Sequence, residues 1–330
     1  MKIGVVRLRS RVWYKQPLDY FISSYFYLLQ RYMEDRKLWD RVVMVNISLN
    51  NVLPSKENLE ELGGCDVVII PTENEFHYHI PGYIHSLDLA RSNDFVARVV
   101  EIIKGKRIVL LASEQADTVE LYKKYVLKNS AVDITRIDEN DFVYGLHGLQ
   151  YHFIKDYRDS NLFAPVKNID FVYFGTSKRQ SVEDIFKNDM RHIVLKEVKN
   201  STLHTKFIGR FDNFKADIKF IKNIKVLVKE ITTAKYTICF QWPNHTQFTT
   251  SRYHEALACD IIPLVWQNYD SNDYLHILPQ QRCFSSSEII SKCLTTPLLE
   301  DIKAKYLENL PSKNQYYEQF KEKIENVLYR

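Results

Sequence analysis

The sequence is short of the residues that build linkers, disulfide frameworks and membrane spans. Its 330 residues include only 9 glycines and 10 prolines, too few for a linker-rich or disordered chain. The 5 cysteines are odd in number and form no Cys-x-x-Cys pair, which argues against a disulfide framework or a thiolate zinc site. No apolar run approaches the roughly 18 residues that a membrane helix needs. We therefore expect a soluble, cytoplasmic protein with reduced thiols.

A large excess of charge of one sign is also lacking. The net charge is +4, so any contact with nucleic acid must come from a local basic patch. A chain of 330 residues, 45% of them hydrophobic, exceeds what one core usually organises, and two domains are expected.

Short apolar runs, typical of strands buried on both faces, alternate with amphipathic stretches of helical spacing. The runs cover residues 3–8, 42–47, 67–70 and 107–111 in the first half, and 171–174, 205–209, 236–240 and 261–266 in the second. A zone near 138–167 has little pattern. We expect an α/β protein with two parallel sheets. Ligands bind outside the carboxyl ends of such strands, so residues that follow each strand are the candidates.

One candidate segment is a helix start before the last of these runs. Thr250 or Ser251 can cap the helix, and Arg252 lies at its positive end, a combination that suits a diphosphate. Glu255, one turn on, could accept hydrogen bonds from a ribose diol. The alternative is ordinary helix capping with a solvated arginine.

Two other strand ends in the second half combine glycine with cations. These residues could approach and neutralise phosphate, although the spacing is not that of a P-loop and solvated turns are the alternative. The candidates are Gly175, Ser177, Lys178 and Arg179 after one strand, and Gly209 and Arg210 at the end of the next.

These three motifs resemble those of the T-even bacteriophage DNA glucosyltransferases, which are GT-B nucleotide-sugar transferases. Gly-Thr-Ser-Lys-Arg is similar to the family's Gly-Gly-Ser-x-Arg, Lys-Phe-Ile-Gly to Phe-Phe-Gly, and Thr-Ser-Arg-Tyr-His-Glu to Thr-x-Arg-x-x-Glu. The resemblance implies two Rossmann-like domains that face a central cleft: 1–165 for the acceptor and 166–311 for a UDP-sugar. Residues 312–330 would form a helix that packs back toward the first domain.

For the donor, the resemblance implies Arg252 and Lys178 on the diphosphate, with Arg179 sharing that role, and Glu255 on the ribose. The expected sugar is glucose, although a pentose such as arabinose would fit the same site. No tightly bound metal is required, and a loosely held Mg²⁺ could assist product release.

The acceptor implied is a hydroxymethylated pyrimidine in duplex DNA, with hydroxymethylcytosine and hydroxymethyluracil both open. Two segments of the first half could serve it. Cations interleaved with aromatics could track phosphates, and a later group of rings could stack on an extruded base. The alternative for the first segment is a strand edge with solvated arginines. The alternative for the second is a loose metal cluster, which we do not expect. The first segment contains Arg7, Arg9, Arg11 and Trp13, and the second Phe76, His77 and Tyr78.

Two carboxylates, Glu114 and Asp117, follow the fourth strand, where a general base would take the acceptor hydroxyl's proton. By the resemblance, Glu114 aligns with a family aspartate. First-turn helix capping is the alternative, and the choice of base and the stereochemical outcome stay open.

The function expected is transfer of a sugar from UDP to modified DNA by a monomer, in an infected bacterial host if the protein is phage-encoded. Two alternatives remain: a GT-B transferase acting on envelope polysaccharide or a small acceptor, and a non-catalytic DNA-binding protein on the same fold.

Overall fold

A computed structural model describes residues 1–7, 22–46, 56–70, 101–112, 133–138, 141–161, 166–177, 190–211, 214–219, 221, 223–241, 250–295 and 299–329. These residues fall into two compact units. The first contains those up to Gly145 and those from Lys313 onward, and the second contains those from Leu146 to Ser312.

The first unit is built on a parallel sheet of five strands. They are β1 (Ile3–Arg7), β2 (Val42–Asn46), β3 (Val67–Ile70), β4 (Arg107–Ala112) and β5 (Ile134–Asp138), in the order β2-β1-β3-β4-β5. Buried branched side chains, among them Val6, Val45, Val68 and Ile70, form its core because both faces of the sheet are covered. The order reverses between β1 and β3, the position at which doubly wound sheets bind ligands.

The second unit has a parallel sheet of six strands. They are β6 (Ile169–Ser177), β7 (Thr205–Phe211), β8 (Ile218–Lys219), β9 (Ala234–Cys239), β10 (Ile262–Trp266) and β11 (Arg282–Cys283). Their order, β11-β10-β9-β6-β7-β8, is that of the Rossmann dinucleotide fold, with the switch point between β6 and β9.

Nine helices are seen within the described ranges. They are α1 (Ile22–Asp35), α2 (Lys56–Gly63), α3 (Gly145–Ser160), α4 (Arg191–Lys199), α5 (Ile224–Ile231), α6 (Ser251–Ala258), α7 (Ser286–Cys293), α8 (Leu299–Asn309) and α9 (Lys313–Leu328). Over the part of the chain that the structure covers, none is both long and apolar enough to cross a bilayer.

The last helix, α9, belongs to the first unit and packs against α1. It buries Tyr316, Tyr317, Phe320 and Ile324. The Tyr317 hydroxyl donates to Asp35 at 2.8 Å. This contact joins residues 282 positions apart, so the two ends of the chain complete one core.

All eight strands expected from the apolar runs are present, and the expected α/β class is confirmed. The zone of little pattern contains β5's end and all of α3. That helix buries Leu146, Leu149 and Ile154, but also the polar Gln150 and Arg158. Because polar residues share its buried side, no clean apolar stripe reveals α3 in the sequence. All five cysteines are buried free thiols.

Candidate functional site

Two paired glycines lie near the carboxyl ends of β6 and β7. Gly175 and Gly209 are register partners, with φ of 153° and 148°, a region open to glycine and rarely to other residues. A Cβ on Gly209 would overlap the carbonyl oxygen of Gly175. The sequence therefore needs glycine here so that two strands can approach closely beside the switch point.

The Arg252 guanidinium lies beside Gly175. Its Nη2 would be 3.4 Å from a Cβ on Gly175, and its Cζ is 4.7 Å from the centre of the Phe174 ring. The ring is buried, while 32% of the arginine side chain is exposed. The contact with an aromatic face and the nearby strand end hold a planar cation at the carboxyl edge of the second sheet.

Glu255 orients this arginine from one turn further along α6. Arg252 Nη1 donates to Glu255 Oε2 at 2.9 Å, and the carboxylate side chain is only 7% exposed. A charge-assisted hydrogen bond to a buried carboxylate is stronger than a neutral one, so the pair is held in a defined geometry.

The helix begins at Ser251 with Thr250 as its N-cap residue, but the Thr250 side chain makes no capping hydrogen bond to the first turn. Of the two caps that the sequence offers, Thr250 or Ser251, Thr250 therefore occupies the N-cap position but does not cap the helix through its side chain. Its hydroxyl lies 3.3 Å from the Tyr269 hydroxyl instead. The helix start is tied to the loop after β10, a long-range partner that local sequence cannot show.

Two histidines, one on α6 and one on α3, lie next to each other. His254 of α6 is fully buried, and its Nδ1 lies 2.6 Å from the Tyr306 hydroxyl. The His147 ring centroid is 5.7 Å from that of His254. Burial lowers the pKa of His147 to about 4 and that of His254 well below its usual range. Both imidazoles are therefore neutral at physiological pH.

Four predicted donor residues are brought together here: Gly175, Gly209, Arg252 and Glu255. Ser177 ends β6, and Arg210, opposite Thr176, is exposed. Arg7 ends β1 at the carboxyl edge of the first sheet, with no described side chain. The other predicted residues lie outside the described ranges: Lys178, Arg179, Glu114, Asp117, Arg9, Arg11, Trp13, Phe76, His77 and Tyr78.

Sequence reasoning missed Phe174 and Tyr269 as parts of this site. Phe174 was visible as the residue before Gly175, but nothing local shows that its ring faces an arginine 78 positions away. Tyr269 follows the end of β10, and the rule of reading residues after strands could have found it.

Among the residues that the structure describes, Asp138 places a carboxylate at the carboxyl edge of the first sheet, where it is the register partner of Ala112. Burial raises the pKa of Asp138, although the Arg136 guanidinium donates to its Oδ1 at 2.7 Å. The carboxylate is thus held by its own strand. Within the described part of the chain, no group of three or more His, Cys, Asp or Glu is arranged to hold a metal ion.

Comparison with known proteins gives no match to a protein-family model and none to a curated protein by sequence. Solved structures do match. A DNA-modifying β-glucosyltransferase, solved with and without uridine diphosphoglucose, has a TM-score of 0.56 and 13% identity, covering 100% of both chains. The chain has the GT-B fold. This confirms the fold that the sequence motifs led us to expect.

Other structures give the same result for this GT-B chain. T4 phage β-glucosyltransferase bound to UDP-glucose matches with a TM-score of 0.53 and 12% identity, covering 99% of each chain. The T4 phage enzyme bound to UDP and Mn²⁺ matches with a TM-score of 0.52 and 12% identity, again over 99% of each chain. The likeness covers the whole chain, so it includes both sheets.

Proposed function

We propose that this protein is a glycosyltransferase that moves a sugar, with glucose expected, from a UDP-sugar to the hydroxymethyl group of a modified pyrimidine in duplex DNA. One observation carries the proposal: Arg252 lies between the Gly175 backbone, the Phe174 ring and Glu255, at the switch point of the second sheet. Neighbours of the same fold are described as UDP-glucose-bound and DNA-modifying, which supports this choice.

The donor's diphosphate would lie beside Arg252 and the start of α6. A planar guanidinium can bind two phosphate oxygens at once, and the positive end of a helix favours the same charge. Lys178 and Arg179, which follow β6 in the sequence, would add to this charge. Glycine at 175 places no side chain beside the Arg252 guanidinium, where a phosphate would approach the backbone. Glu255 would bind the ribose hydroxyls while it orients Arg252.

During transfer, negative charge grows on the departing UDP. Fixed cations aimed at that charge stabilise the transition state more than the bound substrate, and this difference accelerates the reaction. A carboxylate, Glu114 or Asp117, would take the proton from the acceptor hydroxyl as its oxygen attacks the anomeric carbon. The C1–O bond to the diphosphate breaks as the new glycosidic bond forms.

The acceptor would be bound by the first unit. Arg7, Arg9, Arg11 and Trp13 would contact DNA phosphates, and Phe76, His77 and Tyr78 would stack on a pyrimidine flipped out of the duplex. The hydroxymethyl group on C5 of the pyrimidine projects into the major groove, and flipping would bring it from there to the anomeric carbon of the donor. Mg²⁺ would be needed only to help UDP leave.

Mass spectrometry of nucleosides tests the proposal. Duplexes containing hydroxymethylcytosine, hydroxymethyluracil or only unmodified bases would be incubated with the protein and a set of UDP-sugars. We expect a mass gain of one sugar on a hydroxymethylated nucleoside and none on the unmodified duplex. The identity of the sugar and base that react would define the specificity.

Two further assays separate the alternatives. Transfer of the sugar to a glycan or small acceptor, with none to any duplex, would favour an envelope-type enzyme. Suppose instead that the protein binds duplexes, that this binding weakens with added salt, and that the protein neither transfers sugar nor binds UDP. That result would favour a DNA-binding protein on a GT-B fold.

A further inference from the structure

We propose that Tyr269 is a positioning residue for donor binding, because its hydroxyl fixes Thr250, the N-cap residue of the helix that carries Arg252. The inference rests on the proposed function and deepens it by adding a residue that touches neither phosphate nor sugar. The ligand whose binding Tyr269 would assist is the diphosphate of the donor.

Three contacts join Tyr269 to Thr250. The Thr250 backbone N–H donates to the Tyr269 hydroxyl oxygen at 3.1 Å, and that hydroxyl lies 3.2 Å from the Thr250 carbonyl oxygen, to which it donates. The Thr250 side-chain hydroxyl is 3.3 Å away. One phenol oxygen therefore contacts both the amide and the carbonyl of the N-cap residue of α6, and Arg252 is only two residues further on.

The phenol is itself firmly held. The Tyr269 ring is fully buried and stacks on Tyr253, with centroids 6.3 Å apart. Arg282 Nη1 donates to the Tyr269 carbonyl at 2.7 Å. The next residue, Asp270, is also buried, and its carboxylate accepts hydrogen bonds from the backbone N–H groups of Tyr274 and Leu275, at 2.8 and 2.7 Å. The loop after β10 is thus a fixed support for the helix start.

The hydroxyl also has the required protonation state. Burial raises the pKa of Tyr269 well above its usual range, so the phenol keeps its proton and can donate to the Thr250 carbonyl at any physiological pH. A side-chain cap would instead have used Thr250 to occupy N–H groups of the first turn. By fixing Thr250 from outside, Tyr269 sets the position of α6 without placing a capping group where a phosphate would lie.

The test is Tyr269→Phe, which removes the hydroxyl and keeps the stacked ring. We expect the Kd for UDP and the KM for the donor to rise about five- to tenfold, the effect of losing roughly one neutral hydrogen bond, while the KM for DNA is unchanged. Thr250→Ala, which removes only the side-chain contact, should raise the same constants by a smaller factor. It also serves as the second variant if Tyr269→Phe does not fold.

The matched control is Tyr306→Phe, which removes a buried phenol hydroxyl bonded to the middle of the same helix, at His254. Both phenylalanine variants should lower the Tm, but only Tyr269→Phe should weaken UDP binding. Unchanged UDP affinity in Tyr269→Phe, or equal losses in the two variants, would overturn the positioning role. Wild-type protein that binds no UDP would overturn the proposed function itself, which is a distinguishable result.

Discussion

The backbone of Gly209 lies directly against the carbonyl group of Gly175, so that a methyl group added to Gly209 would be 2.8 Å from the Gly175 carbonyl carbon. A methyl group added to Gly175 would in turn be 3.4 Å from Nη2 of the Arg252 guanidinium. The two glycines thus connect the spacing of β6 and β7 to the placement of the cation on which the proposed donor site depends.

Gly209→Ala should destabilise the protein by more than about 3 kcal/mol, because the new methyl group meets rigid backbone and the residue must keep a positive φ. Gly63→Ala is the control, since the nearest atom to its added methyl group would be 4.0 Å away. Chemical denaturation of both variants measures the difference. Equal stability of the two would show that the second sheet relaxes easily around residue 209.

Arg252→Ala should lower kcat/KM for the donor by about 10²- to 10³-fold, the usual effect of removing a group that stabilises transition-state charge. Arg252→Lys should recover only part of this loss, because an ammonium cannot bind two phosphate oxygens in one plane.

The control for that pair is Lys206→Ala. Lys206 also pairs with a glutamate, Glu230, at 2.6 Å, but it lies near the amino end of β7, at the opposite edge of the sheet. Initial rates over a range of donor concentrations give kcat/KM for each variant. If Lys206→Ala and Arg252→Ala lose activity equally, Arg252 has no special role at the donor.

Stability should fall as the pH drops from about 6.5 toward about 4. Burial lowers the pKa of both His147 and His254 in the folded protein, so the unfolded chain binds more protons over this range. Their contribution is complete above the usual imidazole pKa and is lost as the pH falls toward the folded value. Denaturation curves at several pH values measure this slope.

His147→Gln should flatten that pH dependence, because it removes one of the two imidazoles whose pKa is lowered by burial. A slope that is the same in wild type and His147→Gln would mean that other groups cause the acid sensitivity.

Asp260→Asn should destabilise the protein by about 1 to 2 kcal/mol. Burial favours the neutral acid, but hydrogen bonds from Lys303 and Arg158 outweigh it and lower the pKa of Asp260, so the carboxylate is charged. Asparagine tolerates the positive φ of 55° at this position, so the substitution removes mainly the charge. Glu308→Gln, at an exposed ion pair with Lys305, should change stability by less than about 0.5 kcal/mol. Equal losses of stability in the two variants, measured by thermal or urea unfolding, would contradict this prediction.

Much of the fold could be predicted because its signal is local. The segment Val67–Ile70 is fully buried and made only of β-branched residues, so its sequence predicts a strand without any tertiary information. Helix α6 was equally visible from its start at Ser251 to its end at Ala258. In contrast, most residues of β5 are only partly buried and α3 mixes buried polar with apolar residues, so neither element has a clean period.

The site was predictable to the extent that its residues lie at strand and helix ends. Gly175, Gly209, Arg252 and Glu255 could be chosen in this way. Two contacts could not be predicted: that of Arg252 with the Phe174 ring and that of Tyr269 with Thr250. Each joins two elements that are brought together only by the order of the strands in the sheet. That order depends on which strands pair, and single-sequence patterns do not determine it.

The central claim is that the carboxyl edge of the second sheet holds a nucleoside diphosphate. A crystal structure of the protein with UDP tests it most directly. We predict the diphosphate beside Arg252 and Gly175, with the ribose hydroxyls within hydrogen-bond distance of Glu255. UDP bound at another surface, or an empty carboxyl edge at saturating UDP, would contradict the account.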